Sequence, residues 1–240
     1  MQDLCKDLTC FLKDIGFEQL DTKNVEKAFV HPSYAVEQGL SETECYERLE
    51  FLGDAVLKLV VSDILYKKFP ESREGKMTNL RSILVSDDFL FNLAEDLDLK
   101  SYIKISKALE KEGGRNITSI SACAFEAFLG ALYENNVGME KIGGFLKKMY
   151  SKYIDNLDTF LPKFNSKAIL QEYTQALTKE RPVYELISKS GSDNDTTFSV
   201  IVLYDGRELG TGCGKSKKQA EREAAYQACL KLKITGEQND

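Results

Sequence analysis

The chain has 240 residues, of which 42% are hydrophobic and 29% charged, a globular rather than disordered profile with room for one large domain or two modest ones. It contains no apolar run of about eighteen residues, and its start, Met1-Gln2-Asp3-Leu4-Cys5-Lys6-Asp7, lacks the basic-then-apolar order of a signal peptide. A cytoplasmic protein with no membrane span is expected. The net charge of -6 argues, taken whole, against a polyanion binder. The charge is uneven, however: residues 166–235 hold 11 Lys/Arg and 9 Asp/Glu, leaving 21 and 29 elsewhere, and that asymmetry suggests two jobs. Cys5, Cys10, Cys45, Cys123, Cys213 and Cys229 never form a C-x-x-C pair, so neither a disulfide framework nor a zinc site follows. His31 is the sole histidine, which excludes histidine-based metal clusters.

From residue 4 to about residue 153 apolar residues recur at three- and four-residue spacing, as on helices. Leu49, Leu52, Val56 and Leu59 make one stripe, and Phe125, Leu129 and Leu132 another. Breaks at Gly16, His31-Pro32-Ser33, Phe69-Pro70-Glu71-Ser72 and Glu112-Gly113-Gly114 divide the stretch into roughly seven or more helices. The pattern then dissolves through Leu161-Pro162-Lys163-Phe164-Asn165-Ser166, which reads as a linker over residues 159–165. Beyond it, residues 167–177 are helical. Residues 183–189, 197–204 and 207–213 alternate like strands between turn-rich segments, and 216–233 form a long helix. The expected fold class is α+β: an all-α domain over 1–158, the linker, and an α-β-β-β-α module over 166–235.

Two places carry chemistry. On a helix turning about 100° per residue, Glu47, Glu50 and Asp54 fall within about 60° of one another, opposite the Leu49 stripe. A solvated polar face is the simple reading. Like charges at i and i+4 repel, however, so Glu50 and Asp54 gain if a cation sits between them. Phe51 projects into this charged face rather than the core, where a monomer has no use for it. The second place is residues 119–131, small and apolar except for Glu126. A buried carboxylate needs a partner or a metal, and hard oxygen ligands from several elements suit magnesium.

Residues 47–57 resemble the signature of the ribonuclease III family. The similarity continues through His31-Pro32-Ser33-Tyr34, Glu74-Gly75, Leu80-Arg81, Gly113-Gly114-Arg115-Asn116 and Phe125-Glu126-Ala127-Phe128-Leu129-Gly130. The resemblance implies a homodimeric endonuclease that hydrolyses double-stranded RNA, leaving 5′-phosphate and 3′-hydroxyl ends with short 3′ overhangs. It also implies processing of structured precursors, ribosomal and messenger RNA among them. By position it makes Glu50, Glu126 and the site of Cys123 ligands of Mg²⁺, with Mn²⁺ as a substitute, and Asp54 and Glu126 the catalytic pair. Glu47 and Glu74 become accessory acids, and Phe51 an apolar knob for the partner subunit. Magnesium at such a site lowers the pKa of water and neutralises charge on the leaving oxygen, so no covalent nucleophile is required.

Cys123 departs from this pattern, for the family has a metal-binding aspartate three residues before Glu126. A thiol is neutral unless deprotonated, and thiolate is a softer ligand than magnesium prefers. The departure leaves open an enzyme weakened or altered in metal preference, a protein that binds duplex RNA without cutting it, or compensation by a nearby acid or water. Cys45-Tyr46 and Ile117-Thr118 also differ from the usual family residues.

The last helix opens with Lys215-Ser216-Lys217-Lys218. Ser216 can cap it, and the three lysines add charge to the positive end of the helix dipole, which suits phosphate. With its α-β-β-β-α order, the module is similar to double-stranded-RNA-binding domains, which read A-form shape across minor grooves. That similarity places Gln171 and Glu172 against one minor groove and the 191–195 loop, with Asn194 where a histidine is common, in the next. Asp193 and Asp195 flank Asn194 and would repel phosphate, so weak, strongly salt-dependent binding is expected.

Overall fold

The computed structural model describes residues 7–191 and 196–234 and divides into two compact units, Met1–Ser151 and Lys152–Asp240. In chain order the helices of the first are α1 (Leu8–Asp14), α2 (Thr22–Glu26), α3 (Pro32–Glu37), α4 (Glu47–Lys68), α5 (Glu74–Leu84), α6 (Asp87–Asp96), α7 (Lys107–Lys111), α8 (Thr118–Glu134) and α9 (Met139–Ile154), the last crossing the division by three residues. The chain continues through α10 (Leu157–Thr178), β1 (Val183–Ser190), β2 (Thr197–Tyr204), β3 (Arg207–Gly214) and α11 (Lys217–Leu232). Among the described residues no helix is long and apolar enough to cross a membrane.

The first unit is organised around α8, whose Ile120, Ala122, Ala124, Phe125, Ala127, Phe128, Leu129, Ala131 and Leu132 are all buried. Phe11, Phe17, Phe29 and Phe145 pack their rings about Phe128 at centroid distances of 5.5–6.4 Å, counting the Phe17–Phe145 pair. The Tyr150 hydroxyl, fully buried, donates to the Leu84 carbonyl at 2.8 Å, and its ring stacks on Phe89 at 5.3 Å, which ties α9 to α5 and α6. Such burial is the main source of stability for helices of this length.

Helix α4 lies directly against α8, and two glycines set the distance. A Cβ on Gly53 would overlap the Glu126 carbonyl oxygen, and one on Gly130 would overlap the carbonyl of Leu49. Backbones this close admit no side chain at either position. The buried face of α4 is Leu49, Gly53, Val56, Leu57, Val60, Val61 and Leu65. Leu59, which the spacing assigns to the core stripe, is instead 62% exposed. The helical period of 3.6 residues carries the buried face round toward Leu57 and Val61, and a stripe extrapolated from Leu49 and Leu52 drifts off it.

In the second unit the strands form one antiparallel sheet in the order β1-β2-β3, with irregularities in register between Leu186 and Ser188 and between Val202 and Leu203. One sheet face packs on α10 and α11 through Ile169, Leu170, Val200, Val202, Ala220, Ala224, Ala225, Ala228 and Cys229. Gly212 of β3 meets the backbone of α11 at Ala220 and Ala224, so the small residues on both sides let sheet and helix approach. Residues 159–165, expected as a linker, lie inside α10.

Candidate functional site

Helix α4 presents Glu47, Glu50 and Asp54 along one side. The Gly53–Gly130 contact brings the polypeptide of α8 at Glu126 against the turn that carries Glu50 and Asp54. Glu126 is half-buried in an otherwise buried helix. Burial raises its carboxyl first, and Asp54, Glu50 and Asp87 raise it further against a small opposing effect of Lys58, so that it is pushed up to about 8. Glu50 is likewise raised, by burial first and then by Glu47, Asp87 and Asp54, while the Cys123 thiol, within hydrogen-bonding reach, works the other way. Asp54 is held by Lys58 one turn on, at 2.7 Å.

Cys123 does point at this cluster, as its i, i+3 relation to Glu126 predicts. Burial and the charges of Glu50, Glu126 and Asp87 push its thiol up to about 12. It is therefore a neutral hydrogen-bond donor at physiological pH, with Glu50 as its acceptor. Asp87, from the first turn of α6, is the residue that the sequence reading missed. It acts electrostatically on Glu50, Cys123 and Glu126 alike. Ser86 caps α6 by accepting from the Phe89 amide at 3.4 Å, so in sequence Asp87 looks like an ordinary acidic residue of a helix start. Only the packing of α6 beside α8 brings it to the site.

The two remaining acids named from the sequence, Glu74 and Glu47, each line a concavity. Glu74 accepts from the Thr78 hydroxyl at 2.7 Å and lines a concavity of about 390 Å³ with Leu59, Asp63, Tyr66 and Arg81. Glu47 lines another, of about 650 Å³, with Lys27, Arg48, Leu52 and Phe51. Phe51 is 83% exposed, as its placement off the core face requires. Among the described residues no three His, Cys, Asp or Glu side chains stand close enough together to form a ligand shell. Asp54 is paired with Lys58. The chemistry of these acids nonetheless fits a hard divalent cation: a half-buried carboxyl pushed up by burial, and further by three neighbouring carboxylates, is relieved by positive charge.

In the second unit, Lys215, Lys217 and Lys218 are exposed at the start of α11. Ser216 caps the helix, accepting from the Gln219 amide at 3.2 Å, and the Lys215 amide donates to the Gln219 side chain at 3.0 Å. Gln171 is half-buried on α10, its amide nitrogen 3.4 Å from the Gln175 oxygen, and Glu172 beside it is exposed. Asn194 lies outside the described residues.

An acid-walled helical unit followed by an α-β-β-β-α unit with a basic helix end is the build of a nuclease that acts on duplex RNA, and known proteins share it. Residues 21–154 match the family described as Ribonuclease-III-like, and residues 166–232 match the double-stranded RNA binding motif. The chain is 38% identical over 223 residues to a Ribonuclease 3 of Listeria monocytogenes, covering 92% of this chain and 95% of that one. It is 40% identical over 227 residues to a Ribonuclease 3 of Streptococcus pneumoniae, covering 94% and 97%. A solved nuclease domain of ribonuclease III from Campylobacter jejuni, described for flexibility in a region involved in dimer formation, superposes with a TM-score of 0.55. It is 32% identical and covers 61% of this chain and 97% of its own. The chain belongs to the ribonuclease III family. It is a double-strand-specific endoribonuclease of the divalent-metal-dependent kind.

Proposed function

We propose that Glu50 and Glu126 hold Mg²⁺, with Mn²⁺ able to substitute, and that Asp54 and Asp87 complete the acidic wall. The single observation that supports this reading is the Glu126 carboxyl, pushed up to about 8 by burial among Asp54, Glu50 and Asp87. A bound divalent cation supplies Lewis acidity and a lowered pKa for water beside the scissile phosphate. The residues do the rest. Glu126 and Glu50 orient the ion from two helices fixed by Gly53 and Gly130, and Asp54, released from Lys58, takes the proton from the attacking water. Cys123, neutral in this environment, serves as a hydrogen-bond donor to Glu50 rather than as a ligand, and Asp87 makes good the negative charge that a cysteine lacks.

Homodimer formation is the second part of the reading. Leu52, Leu59 and Tyr66 recur every seven residues on a side of α4 away from its buried face. Leu59 and Tyr66 are 62% and 70% exposed, and Phe51 stands nearby at 83%. A helix with a second, uncovered apolar stripe is suited to packing against its own copy. Glu47 and Glu74, each beside this surface, fall at its edge. Duplex RNA is held by the lysines at the start of α11 and by Gln171 and Glu172, within the 166–235 module. Structured precursors of ribosomal and messenger RNA in the cytoplasm are the substrates, and the free thiols of Cys10, Cys45, Cys123, Cys213 and Cys229 accord with that reducing compartment.

The test is cleavage of a long RNA duplex with Mg²⁺ and then Mn²⁺, comparing the unsubstituted chain with Glu126→Gln and Cys123→Asp. Metal-dependent cutting that disappears in Glu126→Gln supports the reading. Cutting that persists in Glu126→Gln refutes the site, and cutting that appears only in Cys123→Asp assigns this chain to binding alone.

A further inference from the structure

His31, the chain's one histidine, is used neither by the acidic cluster nor by the basic helix end. Its half-buried ring serves two elements at once. Nδ1 accepts from the Ser33 amide at 3.0 Å and so caps α3. The Ser33 hydroxyl stands 2.8 Å from the same nitrogen and accepts from the Ser106 amide at 3.1 Å. A nitrogen that accepts in this way carries a lone pair, so the proton of the neutral ring is on Nε2. The imidazole also meets the Tyr46 ring edge-on, with centroids 5.6 Å apart and planes at 86°. Around it the His31 amide donates to the Lys104 carbonyl at 3.0 Å, and the Tyr46 amide donates to the Val30 carbonyl at 2.9 Å. Residues 30 and 31 thereby join the 104–106 segment to the start of α4. That start has no capping side chain of its own. Tyr46, 4% exposed, precedes it and accepts from the Glu50 amide at 2.9 Å, so contacts from outside the helix decide where the first turn lies. Glu47 and Glu50 are in that turn.

We propose that His31 is a positioning residue for cleavage: its neutral ring holds Tyr46 and with it the first turn of α4, and protonation in mildly acidic solution releases that turn. A proton on Nδ1 would face the Ser33 N–H, donor against donor. The cap of α3 is then lost, and the ring can recover a partner only by turning away from Tyr46. From α4 the imidazole faces the Tyr46 phenol and the charge of Glu47; from α3 it faces Ser33, and through Ser33 the Ser106 amide. The Lys104 side chain is paired with Glu26 at 3.5 Å. Burial lowers the basicity of the ring more than Glu47 raises it, so the folded chain favours the neutral, capping form and loses that support as pH falls below the usual histidine range. This inference rests on the reading of Glu50 as a metal ligand.

The experiment compares the full unsubstituted chain with His31→Asn, which keeps a capping oxygen but takes up no proton, and with His31→Ala. Duplex cleavage is followed from about pH 5 to pH 8, across the ordinary titration range of histidine, while proton NMR follows the single imidazole. Carboxylates common to both proteins cancel in the ratio of kcat for the unsubstituted chain to kcat for His31→Asn. That ratio should fall by about threefold to tenfold through the titration of His31, with KM for RNA unchanged. In hydrogen exchange at neutral pH, His31→Ala should lower the protection of the Tyr46 and Glu50 amides by about tenfold and leave amides farther along α4, such as that of Val60, as they were. A ratio that stays flat with pH overturns the proposal, as does unchanged protection of both amides. Should His31→Ala not fold, the ratio with His31→Asn decides alone. If Glu50→Gln cleaves as well as the unsubstituted chain, the ligand reading fails and takes this inference with it, a result distinct from cleavage that needs Glu50 but is indifferent to His31.

Discussion

Replacing Glu126 by glutamine removes a charge that the folded chain holds at a cost, so without divalent metal the variant should be the more stable protein. The size of the effect follows from the carboxyl, which moves from an ordinary 4.5 to about 8 on folding. Each tenfold change in proton affinity is worth about 1.4 kcal/mol, which bounds the cost of ionising Glu126 at about 5 kcal/mol. The side chain is only half-buried, and water screens it, so about 1–2 kcal/mol is the expected share. The sign is fixed by linkage. A carboxyl whose folded pKa lies above its unfolded value leaves stability intact below about 4.5 and erodes it as pH rises toward 8. Urea unfolding in EDTA at pH 8.5 should therefore favour Glu126→Gln by about 1–2 kcal/mol, and the advantage should shrink toward zero near pH 5. On the proposed reading, added Mg²⁺ should reverse the order, since an ion that binds only the folded protein stabilises by mass action and the glutamine variant would lack one of its ligands. A variant less stable than the parent in EDTA at every pH would mean that Glu126 is compensated by a partner and is not held under electrostatic stress, and the argument for a cation site would fall.

Other consequences follow from the same geometry. Gly53→Ala forces a methyl group onto the Glu126 carbonyl oxygen and should cost about 2–4 kcal/mol in chemical denaturation, with loss of cleavage; an unchanged midpoint would refute the close approach of α4 and α8. Phe51→Ala should weaken self-association by about 2–4 kcal/mol, read by sedimentation equilibrium, and an unaltered dimer constant would remove Phe51 from the interface. Lys217→Ala with Lys218→Ala should weaken duplex RNA binding in fluorescence anisotropy and lower the slope of log affinity against log salt by about one for each phosphate that is no longer neutralised. An unchanged slope would show that these lysines meet no phosphate.

The acidic face of α4 was legible because helical periodicity alone brings Glu47, Glu50 and Asp54 to one side. Glu126 was legible because one carboxylate in a helix of small and apolar residues has few reasons to be there. The strands were legible to within a residue at their ends, since alternation and the Asp205-Gly206 turn are local signals. What escaped was whatever tertiary packing decides. Asp87 carries no mark of function in its own neighbourhood, where Ser86-Asp87-Asp88 suffices as a helix start. Leu59 was placed inside because a short stripe fits two helical faces equally well, and only the position of α8 selects one. Residues 159–165 looked unstructured because Pro162 and polar residues break the apolar pattern, yet α10 runs through them from Leu157 to Thr178.

The same contrast explains how a cysteine can stand in the acidic cluster. Whether position 123 needs a carboxylate depends on how much negative charge the surrounding helices deliver, and that sum is a property of the fold, not of the α8 motif. Here α6 contributes Asp87, whose charge acts on Glu50 and Glu126 and on the thiol itself. An aspartate at 123 would join four acids already in mutual repulsion, raising the cost of the metal-free site while strengthening its hold on a cation. A neutral thiol relaxes that trade-off in both directions. Cys123→Asp should accordingly bind Mg²⁺ more tightly than the unsubstituted chain and, in EDTA above pH 8, unfold at lower urea. If the substitution raised metal affinity with no loss of metal-free stability, charge crowding would not be what distinguishes the two residues at this position.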